Sequence, residues 1–457
     1  MIKWIEQDHI TTMMDGDEAK MVIMFVKEKY DAYESSALSK IGTYNSLNDA
    51  KMSCLGHLKF KQNAKQSIAV IGVGTAGITA LSHLLAWTPD NSTIVSVYDP
   101  ETPILGIGES TTSHIPENLF ASTWFNLMQD AHELDATQKL GVRYAGFREK
   151  DFDSLILPPY TAMHFNNFKL KEFCFGRFEQ NWPHKFRQKH GKVKLLINSN
   201  QFVTVVYEDD TVDAFDYVID VAGYPTDYTE YNMSTVIPVN HCLVHMIPEK
   251  GDWNYTWHVA HRNGWMFGIP LQTRQGWGYL YNDEITPKED AIADIAERFN
   301  KKPEELELRE FKFKRYYAKE FMTGRIVKSG NRALFFEPME ALSGYFYDMV
   351  MHYFISVIRE DLTANKMNED LTTYAKAIES FIAYVYKGGS NYDSEFWKTA
   401  QANALEHLDK DQRFKGYITV LKNANPSDRS HREVYIPFFN TSWYHFDKNL
   451  GYNELGA

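Results

Sequence analysis

The sequence is poor in cysteine and has no long uninterrupted apolar run. Its three cysteines, Cys54, Cys174 and Cys242, lie far apart and form no C-x-x-C pair. This spacing argues against a disulfide framework and against a thiolate zinc site. No stretch of about 18 apolar residues is present, and the first ten residues, MIKWIEQDHI, lack the basic and apolar regions of a signal peptide. We therefore expect a cytoplasmic protein that does not enter a membrane.

Basic residues are also in the minority. The chain has 48 Lys and Arg against 60 Asp and Glu, which gives a formal charge of −12. The densest basic stretch, residues 185–194, is interrupted by uncharged side chains. This charge balance gives no electrostatic basis for binding nucleic acid or an anionic membrane. At 457 residues the chain is long enough for roughly three domain-sized units or for one large α/β fold.

Residues 1–66 contain no recognisable constellation of catalytic side chains. Helix-forming residues from Asp17 to Tyr33 predict one helix, and residues 46–58 predict a second. We interpret residues 1–66 as an N-terminal extension that serves as an oligomer arm or a surface cap. A homo-oligomer is therefore expected.

A nucleotide-binding βαβ unit is predicted from Ser67 onward. The run SIAVIGVG is apolar and rich in β-branched residues, as is typical of a buried parallel strand. A glycine turn and the helical pattern ITALSHLLAW follow, and a second strand over residues 93–98 ends at Asp99. The turn matches G-x-G-x-x-G, and Asp99 lies at about the expected spacing of roughly 20 residues. The residues of the turn that we expect at the cofactor are Gly72, Gly74, Thr75, Ala76 and Gly77.

Each part of this motif has a physical reason. Gly72 permits the tight turn, Gly74 lets the backbone approach the pyrophosphate, and Gly77 allows close packing of helix on strand. Asp99 can accept hydrogen bonds from a ribose hydroxyl, which favours NAD or FAD over NADP. The strand DYVIDVAG, residues 216–223, favours FAD because it ends in a small-residue turn at Gly223 that brings backbone to the flavin.

The rest of the chain mixes helices and strands. The apolar face that recurs at helical spacing consists of Phe346, Met349, Val350, Tyr353, Phe354 and Val357. The other predicted elements are a helix over 117–148, strands over 192–206 and 212–222, an antiparallel sheet over 253–281, a helix over 288–300 and further helices to about residue 423.

At this point the sequence resembles the flavin-dependent halogenases of the tryptophan-halogenase type. Six segments keep the order in which the family has them, and together they span residues 67–403. They are IGVGTAGITA, GIGESTTSHIP (106–116), ATQKLGVRYAGFREK (136–150), GWMFGIPLQTRQGWGYLYND (264–283), FFEPMEALSGYF (335–346) and SEFWKTAQAN (394–403). The compact length is similar to that of virus-encoded members of the family.

The resemblance implies an α/β fold with three parts. It consists of the N-terminal extension, a glutathione-reductase-like Rossmann FAD-binding core with an inserted antiparallel sheet (67–340), and a helical C-terminal substrate part (341–457). It also implies a reaction in two stages: FADH2 from a separate flavin reductase, O2 and halide give hypohalous acid, which then halogenates an aromatic ring elsewhere in the protein.

The resemblance assigns roles to particular residues. It makes Lys139 the essential lysine and Glu340 the catalytic carboxylate, whereas taken alone they are a solvated helix lysine and a helix N-terminal carboxylate. The segment 108–111 lies against the flavin, and backbone N–H groups near Leu342 and Ser343 bind halide. The residues implied at the flavin in that segment are Gly108, Glu109, Ser110 and Thr111. Those implied at the substrate passage are Trp265, Phe267, Ile269 and Pro270, for which core packing is an equal alternative.

Three departures from the family pattern affect specificity. Phe267 replaces the second tryptophan of W-x-W-x-I-P, which leaves aromatic hydroxylation as an alternative function. Ala341, Leu342 and Ser343 replace the usual Ser-Thr-Gly, and this altered halide site favours bromide or iodide over chloride. The C-terminal part is short, which predicts an open pocket for phenols or indoles. A non-catalytic flavoprotein is the remaining alternative.

No metal site is expected from the sequence. His241 and His245 lie on a predicted strand, where they would be roughly 13 Å apart, and His258 and His261 would face opposite sides of theirs. No H-E-x-x-H motif occurs. Arg274 is expected to pair with a carboxylate and is given no further role.

Overall fold

The described residues between 2 and 60 form an antiparallel sheet followed by one helix. In the computed structural model, the described residues are 2–7, 9–16, 18–35, 39–60, 66–156, 160–424 and 440–455. The strands pair in sequence order, each with the next. The elements are β1 (Ile2–Gln7), β2 (Ile10–Asp15), β3 (Glu18–Val26), β4 (Lys29–Glu34), β5 (Ser39–Tyr44) and α1 (Leu47–Phe60).

The predicted helix from Asp17 to Tyr33 is wrong, and Asp17 itself lies outside the described residues. The segment is a hairpin whose turn, at Lys27 and Glu28, has φ angles of 49° and 65°. Met21 and Ile23 alternate toward the interior with period two, so tertiary burial overrides helix propensity. The second helix, predicted over 46–58, is confirmed as α1.

The central part of the chain contains the nucleotide-binding unit and its flanking elements. The predicted strand–turn–helix–strand order from Ser67 to Tyr98 is confirmed. The elements are β6 (Ser67–Ile71), α2 (Thr75–Trp87), β7 (Thr93–Tyr98), α3 (His114–Thr123), α4 (Leu127–Asp130), β8 (Thr137–Lys139), β9 (Gly141–Ala145), β10 (Phe152–Leu155), β11 (Ala162–His164), α5 (Asn167–Asn181), β12 (Phe186–His190), β13 (Val193–Asn198), β14 (Val203–Tyr207), β15 (Val212–Phe215) and β16 (Tyr217–Asp220).

The helix predicted over 117–148 is wrong in its second half. The helical part ends at Asp130, and Lys139 lies at the end of the short strand β8 instead of on a helix surface. Strand β9 pairs with β10, and a Cβ atom placed on Gly141 would lie 2.2 Å from the carbonyl oxygen of Ser154. Glycine at 141 therefore allows the close strand contact that this segment requires.

The following region is sheet-rich, as predicted for residues 253–281. Its elements are β17 (Tyr231–Met233), β18 (His241–Ile247), β19 (Thr256–His261), β20 (Gly264–Pro270), β21 (Gln275–Tyr281), α6 (Lys288–Phe299), β22 (Leu308–Lys312), β23 (Tyr316–Ala318), β24 (Met322–Thr323), β25 (Ile326–Lys328) and β26 (Leu334–Phe335). The C-terminal elements are α7 (Leu342–Ile358), α8 (Ala364–Tyr386), α9 (Glu395–Lys410), α10 (Gln412–Lys422) and α11 (Asn440–Asn449). The helix predicted over 288–300 is confirmed as α6, and the helix with an apolar face from Phe346 to Val357 is confirmed as α7. The further helices predicted to about residue 423 are confirmed as α8, α9 and α10.

Two large sheets carry the candidate site between them. The six-stranded sheet has the order β12-β7-β6-β16-β25-β24, and all its pairs are parallel except β24 with β25. The seven-stranded sheet has the order β10-β9-β19-β20-β21-β18-β22 and is antiparallel except for β9 with β19. The predicted fold class, a Rossmann-type sheet with an antiparallel insertion and a helical C-terminal part, is confirmed.

The N-terminal unit, which consists of β1 to β5 and α1, packs on the three-stranded sheet β13-β14-β15. A buried apolar cluster joins Met21, Ile23 and Cys54 to Phe202 and Val206. The ring of Phe202 lies 5.1 Å from that of Phe60 in α1. All three cysteines are free and buried. None of the described helices is both long and apolar enough to cross a membrane.

Candidate active site

The glycine turn after β6 is packed so tightly that side chains are excluded at two positions. Gly72 has a φ of 110°, and a Cβ atom on it would lie 2.8 Å from the carbonyl oxygen of Val221. A Cβ atom on Gly77 would lie 2.2 Å from the carbonyl oxygen of Gly72. The turn therefore needs glycine at both ends, at the first for its backbone conformation and at the second for helix–strand contact.

Three other glycines face open space. A Cβ atom on Gly74, Gly108 or Gly223 would meet no atom within 4 Å. Gly74 is the residue before α2, so the free N–H groups of that helix begin at the same place. Gly74 and Gly223 follow the adjacent parallel strands β6 and β16, and an open strip at the carboxyl ends of parallel strands is the kind of cradle that a dinucleotide fills. The residues present thus fit FAD.

The other predicted cofactor residues in the βαβ unit are Thr75, Ala76 and Asp99, and each contacts residues outside the predicted set. The Thr75 hydroxyl donates to Asn167 at 2.7 Å, and Ala76 lies close to Gly330. Asp99 follows β7 directly and accepts hydrogen bonds from the Glu101 N–H and the Thr102 hydroxyl. The Asp99 carboxylate thus stabilises its own turn, and its contact with ribose stays a prediction.

Loop 108–111 connects the cradle to the buried centre. Glu109 is buried and pairs with Arg274, which is the carboxylate partner predicted for that arginine. Burial raises the pKa of Glu109, while Arg274 and the Asn167 N–H oppose that shift. The Ser110 hydroxyl lies 2.9 Å from that of Thr256. The loop is therefore fixed on both sides by polar contacts.

Lys139 is buried, although most lysines are solvated. Only 3% of it is exposed, and its Nζ donates to the carbonyl oxygen of Thr111 at 3.0 Å. Loss of water lowers the pKa of Lys139 to about 8, and the charge of Glu340 partly opposes this shift. The lowered pKa increases the fraction of this amine that is uncharged near neutral pH.

Glu340 is the acidic member of the same buried centre. Its Oε1 accepts a hydrogen bond from the Tyr144 hydroxyl at 2.8 Å, and Oε2 accepts one from Ser154 at 3.4 Å. Burial raises the pKa of Glu340 to about 7, although Lys139, Tyr144 and Ser154 each lower it. Each oxygen of the Glu340 carboxylate thus accepts a hydrogen bond from a side-chain hydroxyl, and the pKa of Glu340 lies near neutrality.

An unusual backbone conformation places Glu340 before helix α7. Glu340 and Ala341 have φ angles of 55° and 57°, in the left-handed region that non-glycine residues rarely adopt. Strained pairs of this kind concentrate at functional sites. Ala341 supplies no side-chain cap to α7, and the Leu342 N–H donates to the Met339 carbonyl, so Ser343 carries the next N–H at this helix start.

Strand β20 forms a fully buried wall beside this centre, and Trp265, Phe267, Ile269 and Pro270 all lie on it. Trp265 Nε1 donates to the Tyr386 hydroxyl at 2.7 Å, and that hydroxyl donates to Glu337 at 3.0 Å. Phe267 lies opposite Gly278, where a Cβ atom would be 2.2 Å from the phenyl ring. The ring of Phe267 therefore occupies the space that a side chain at 278 would need.

The comparisons with known proteins agree with this arrangement. The family model described as tryptophan halogenase matches residues 67–195 and 160–446. The chain belongs to the tryptophan halogenase family. The predicted flavin-dependent halogenase class, with its FADH2, O2 and halide, is confirmed at the level of this family.

Individual relatives of the family are distant in sequence. The chain is 24% identical over 478 residues to a tryptophan 7-halogenase of Lentzea aerocolonigenes, which covers 84% of this chain and 88% of that protein. A flavin-dependent halogenase structure from Xanthomonas campestris superposes with a TM-score of 0.72 at 16% identity, covering 85% and 89% of the two chains. A tryptophan halogenase structure from Shewanella frigidimarina gives 0.70 at 16% identity, with the same coverage. These structures establish the fold.

Several residues of the buried centre were not predicted from the sequence. Tyr144 and Ser154 hold Glu340, and the ring of His258 lies 5.0 Å from Tyr144 and 4.8 Å from Trp265. Glu337 lies within the family-like segment 335–346, but the sequence predicted no role for it. A strand assignment for residues 141–145 would have indicated Tyr144, because its buried neighbours alternate along β9.

Proposed function

We propose that this chain oxidises halide with FADH2 and O2 and delivers the resulting hypohalous acid to Lys139. The acid then halogenates a small aromatic compound, such as a phenol or an indole. The observation that carries this proposal is the buried pair of Lys139 and Glu340. Burial brings both pKa values toward neutrality, to about 8 for Lys139 and about 7 for Glu340. The two groups lie beside the buried aromatic residues of β20. Such paired shifts are typical of acid–base centres.

The FAD cradle and the Lys139–Glu340 pair are separate sites that are connected by loop 108–111. When bound, reduced FAD supplies the two electrons that O2 needs to become an oxidant of halide. The Thr111 carbonyl, at the end of the loop that begins with Gly108 in the open strip, accepts the hydrogen bond from Lys139. This contact orients the amine and ties its position to that loop. We propose that an oxidant formed at the cradle moves along this loop to Lys139.

The chemical step at the aromatic ring balances with the groups present. The uncharged Lys139 amine holds the hypohalous acid through its lone pair. The ring attacks the halogen, a carbon–halogen bond forms, the oxygen–halogen bond breaks, and the departing hydroxide becomes water with the proton that the ring loses by way of Glu340. The Glu340 carboxylate accepts the ring proton, and its donors Tyr144 and Ser154 keep it oriented. Overall, the ring C–H and the acid become a ring C–halogen bond and water.

The start of α7 is the proposed halide site. Helix α7 starts without a side-chain cap, and its dipole favours an anion there. The Leu342 N–H donates to the Met339 carbonyl, so the Ser343 N–H is the donor that we propose for the halide beside Leu342. Leu342 makes this site less polar than a serine or threonine would. We therefore expect the more easily oxidised bromide and iodide to be preferred over chloride.

A separate flavin reductase is the proposed source of FADH2. The single G-x-G-x-x-G motif of the chain is used by the FAD cradle, so the same route is not open to NAD(P)H. We also propose that the protein acts in the cytoplasm, or in the host cytoplasm if it is virus-encoded.

The test is aerobic turnover with FAD, a flavin reductase and NADH, with chloride, bromide and iodide offered in turn to phenols and indoles. Mass spectrometry reports the product. We expect Lys139→Met and Glu340→Gln each to lower halogenation by about 100-fold or more while FAD still binds. Lys185→Met is a matched control, because Lys185 is also buried with a pKa lowered to about 8 by desolvation, but it donates to Leu85 and Thr88.

Two outcomes would replace this proposal. A product that gains one oxygen, with full activity in Lys139→Met, would indicate an aromatic hydroxylase. FAD binding without any product would indicate a non-catalytic flavoprotein. A halogenated product that still forms at full rate in Lys139→Met would contradict the assignment of the lysine.

A further inference from the structure

A second cluster of buried polar side chains lies between α2 and α7. His83 belongs to α2, and Asp348 and His352 belong to α7. One ligand atom from each of the three lies within 4.8 Å of the other two. Nε2 of His83 is 2.8 Å from Oδ1 of Asp348, and Nε2 of His352 is 3.4 Å from Oδ2. None of the three takes part in the proposed halogenation.

The carboxylate at the centre of this cluster is buried in an apolar helix. The side chains of His83 and Asp348 are completely inaccessible to water, whereas that of His352 is 55% exposed. Asn118 donates to Oδ1 of Asp348. Among the described residues, Oδ2 has no hydrogen bond of normal geometry. Buried carboxylates are stable in proteins when they are paired or bind a cation, and at Oδ2 the compensating group is the His352 imidazole, 3.4 Å away.

The donor set has the chemistry of a transition-metal site. Two imidazole nitrogens and one carboxylate are ligands that Zn²⁺ commonly takes in proteins. At ligand distances of about 2.0–2.1 Å, two tetrahedral ligands lie about 3.3 Å from each other. His83 Nε2 lies 2.8 Å from Oδ1 and His352 Nε2 lies 3.4 Å from Oδ2, so both imidazoles are within about this distance of the carboxylate group, each at a different oxygen.

We propose that His83, Asp348 and His352 bind one divalent transition-metal ion, for which Zn²⁺ is the best match. Asn118 acts as a positioning residue because it holds Oδ1 and turns Oδ2 toward the ion. The ion would join α2, which begins at the glycine turn, to α7, which begins beside Glu340. The sequence did not predict this site because its residues come from distant parts of the chain.

The test measures metal binding directly and requires no halogenase activity. The full chain without an affinity tag is treated with a chelator, equilibrated with ZnSO4, desalted and analysed by elemental mass spectrometry. We expect one zinc per chain, a higher melting temperature with zinc, and visible ligand-field absorption when Co²⁺ replaces zinc. His352→Gln should weaken zinc binding by at least about 100-fold, since even loss of a supporting residue costs roughly 10–100-fold.

The variants separate this site from ordinary surface histidines. His352 is half exposed, so its replacement leaves the core intact, and His132→Gln is the matched control at an exposed histidine. Zinc binding that is unchanged in His352→Gln would overturn the proposal. Less than stoichiometric zinc in the wild type would also overturn it, and would leave the cluster as a hydrogen-bonded His–Asp–His group. Neither result bears on the role of Lys139, because binding is measured without turnover.

Discussion

The Lys139 amine and the Glu340 carboxyl are both removed from water, and each pKa moves toward neutrality for that reason. Burial disfavours the charged form of either group, whereas their mutual attraction favours both charges. Near neutral pH, Lys139 and Glu340 are therefore each present in both the charged and the uncharged form. A reaction that needs a free amine and a proton acceptor at neutral pH can use such a pair.

Removing one charge should shift the other group in a definite direction. Glu340→Gln deletes the negative charge that raises the pKa of Lys139, so that pKa should fall below about 8. NMR titration of ¹³C-labelled lysine side chains measures this value, and Lys185 provides the internal reference. A Lys139 pKa that stays constant or rises in the variant would contradict the inferred proximity of the two charges.

Glu337 gives a prediction about stability and pH. Burial raises its pKa to about 8, so the folded chain binds more protons than the unfolded chain between about pH 4.5 and 8. Stability from this group is therefore lost as the pH rises through that window. Glu337→Gln should match the wild type near pH 5 and exceed it at pH 9, by on the order of a few kcal/mol.

Chemical denaturation at the two pH values measures the difference. Tyr386→Phe is the companion variant, because it removes the hydroxyl that donates to Glu337 and accepts from Trp265. That variant should be less stable than the wild type at both pH values. Equal stability of Glu337→Gln and wild type at pH 9 would show that Glu337 ionises without cost.

Among the elements, the turn between β6 and α2 separates a structural requirement from a binding requirement. If each glycine is replaced by alanine, the new Cβ atom lies against backbone at Gly77 and in open space at Gly74. Gly77→Ala should lower stability by roughly 1–3 kcal/mol, because its Cβ atom would overlap the carbonyl of Gly72. Gly74→Ala should keep the melting temperature of the FAD-free chain and weaken FAD binding.

Thermal unfolding and flavin fluorescence titration measure these two effects on the same samples. The expected pattern is opposite in the two variants: stability lost in one, affinity lost in the other. If Gly74→Ala binds FAD as tightly as the wild type does, the pyrophosphate does not pass over this turn. If Gly77→Ala is fully stable, the helix can move away from the strand without cost.

At the scale of whole elements, patterning predicted most of the helices and the sheet after residue 253 correctly. It failed at residues 18–33 and in the second half of 117–148, where short strands alternate more buried and less buried residues. In both places the residues have reasonable helix propensity, and long-range strand pairing decides the structure. The correction matters for Lys139, which lies on strand β8 inside the protein.

For the whole molecule, the N-terminal unit is joined to the rest through a shared apolar cluster around Phe202. This side chain is fully buried and contacts the rings of His57 and Phe60. Phe202→Ala should lower the free energy of unfolding by about 3–5 kcal/mol, because it leaves a cavity between the two parts. Phe120→Ala, at a side chain that is 54% exposed, is the control and should change stability little.

Urea denaturation of both variants measures the difference. A Phe202→Ala variant as stable as the control would indicate that the N-terminal unit contributes no cooperative stability. The role of this unit as an oligomer arm stays a prediction, and light scattering of the intact chain, compared with a chain lacking residues 1–60, tests it. Loss of the oligomer on deletion would support that role.

The sequence by itself determined the nucleotide-binding turn and the family. A strand, a glycine turn and a helix are adjacent in the chain, so local backbone conformation and apolar pattern specify them. The tertiary structure alone decided that Lys139 and Glu340 share one buried centre with Tyr144, and that His83 meets Asp348. Distant segments must pack to remove water from these groups. Burial and proximity, which set their pKa values and ligand geometry, are therefore properties of the folded chain.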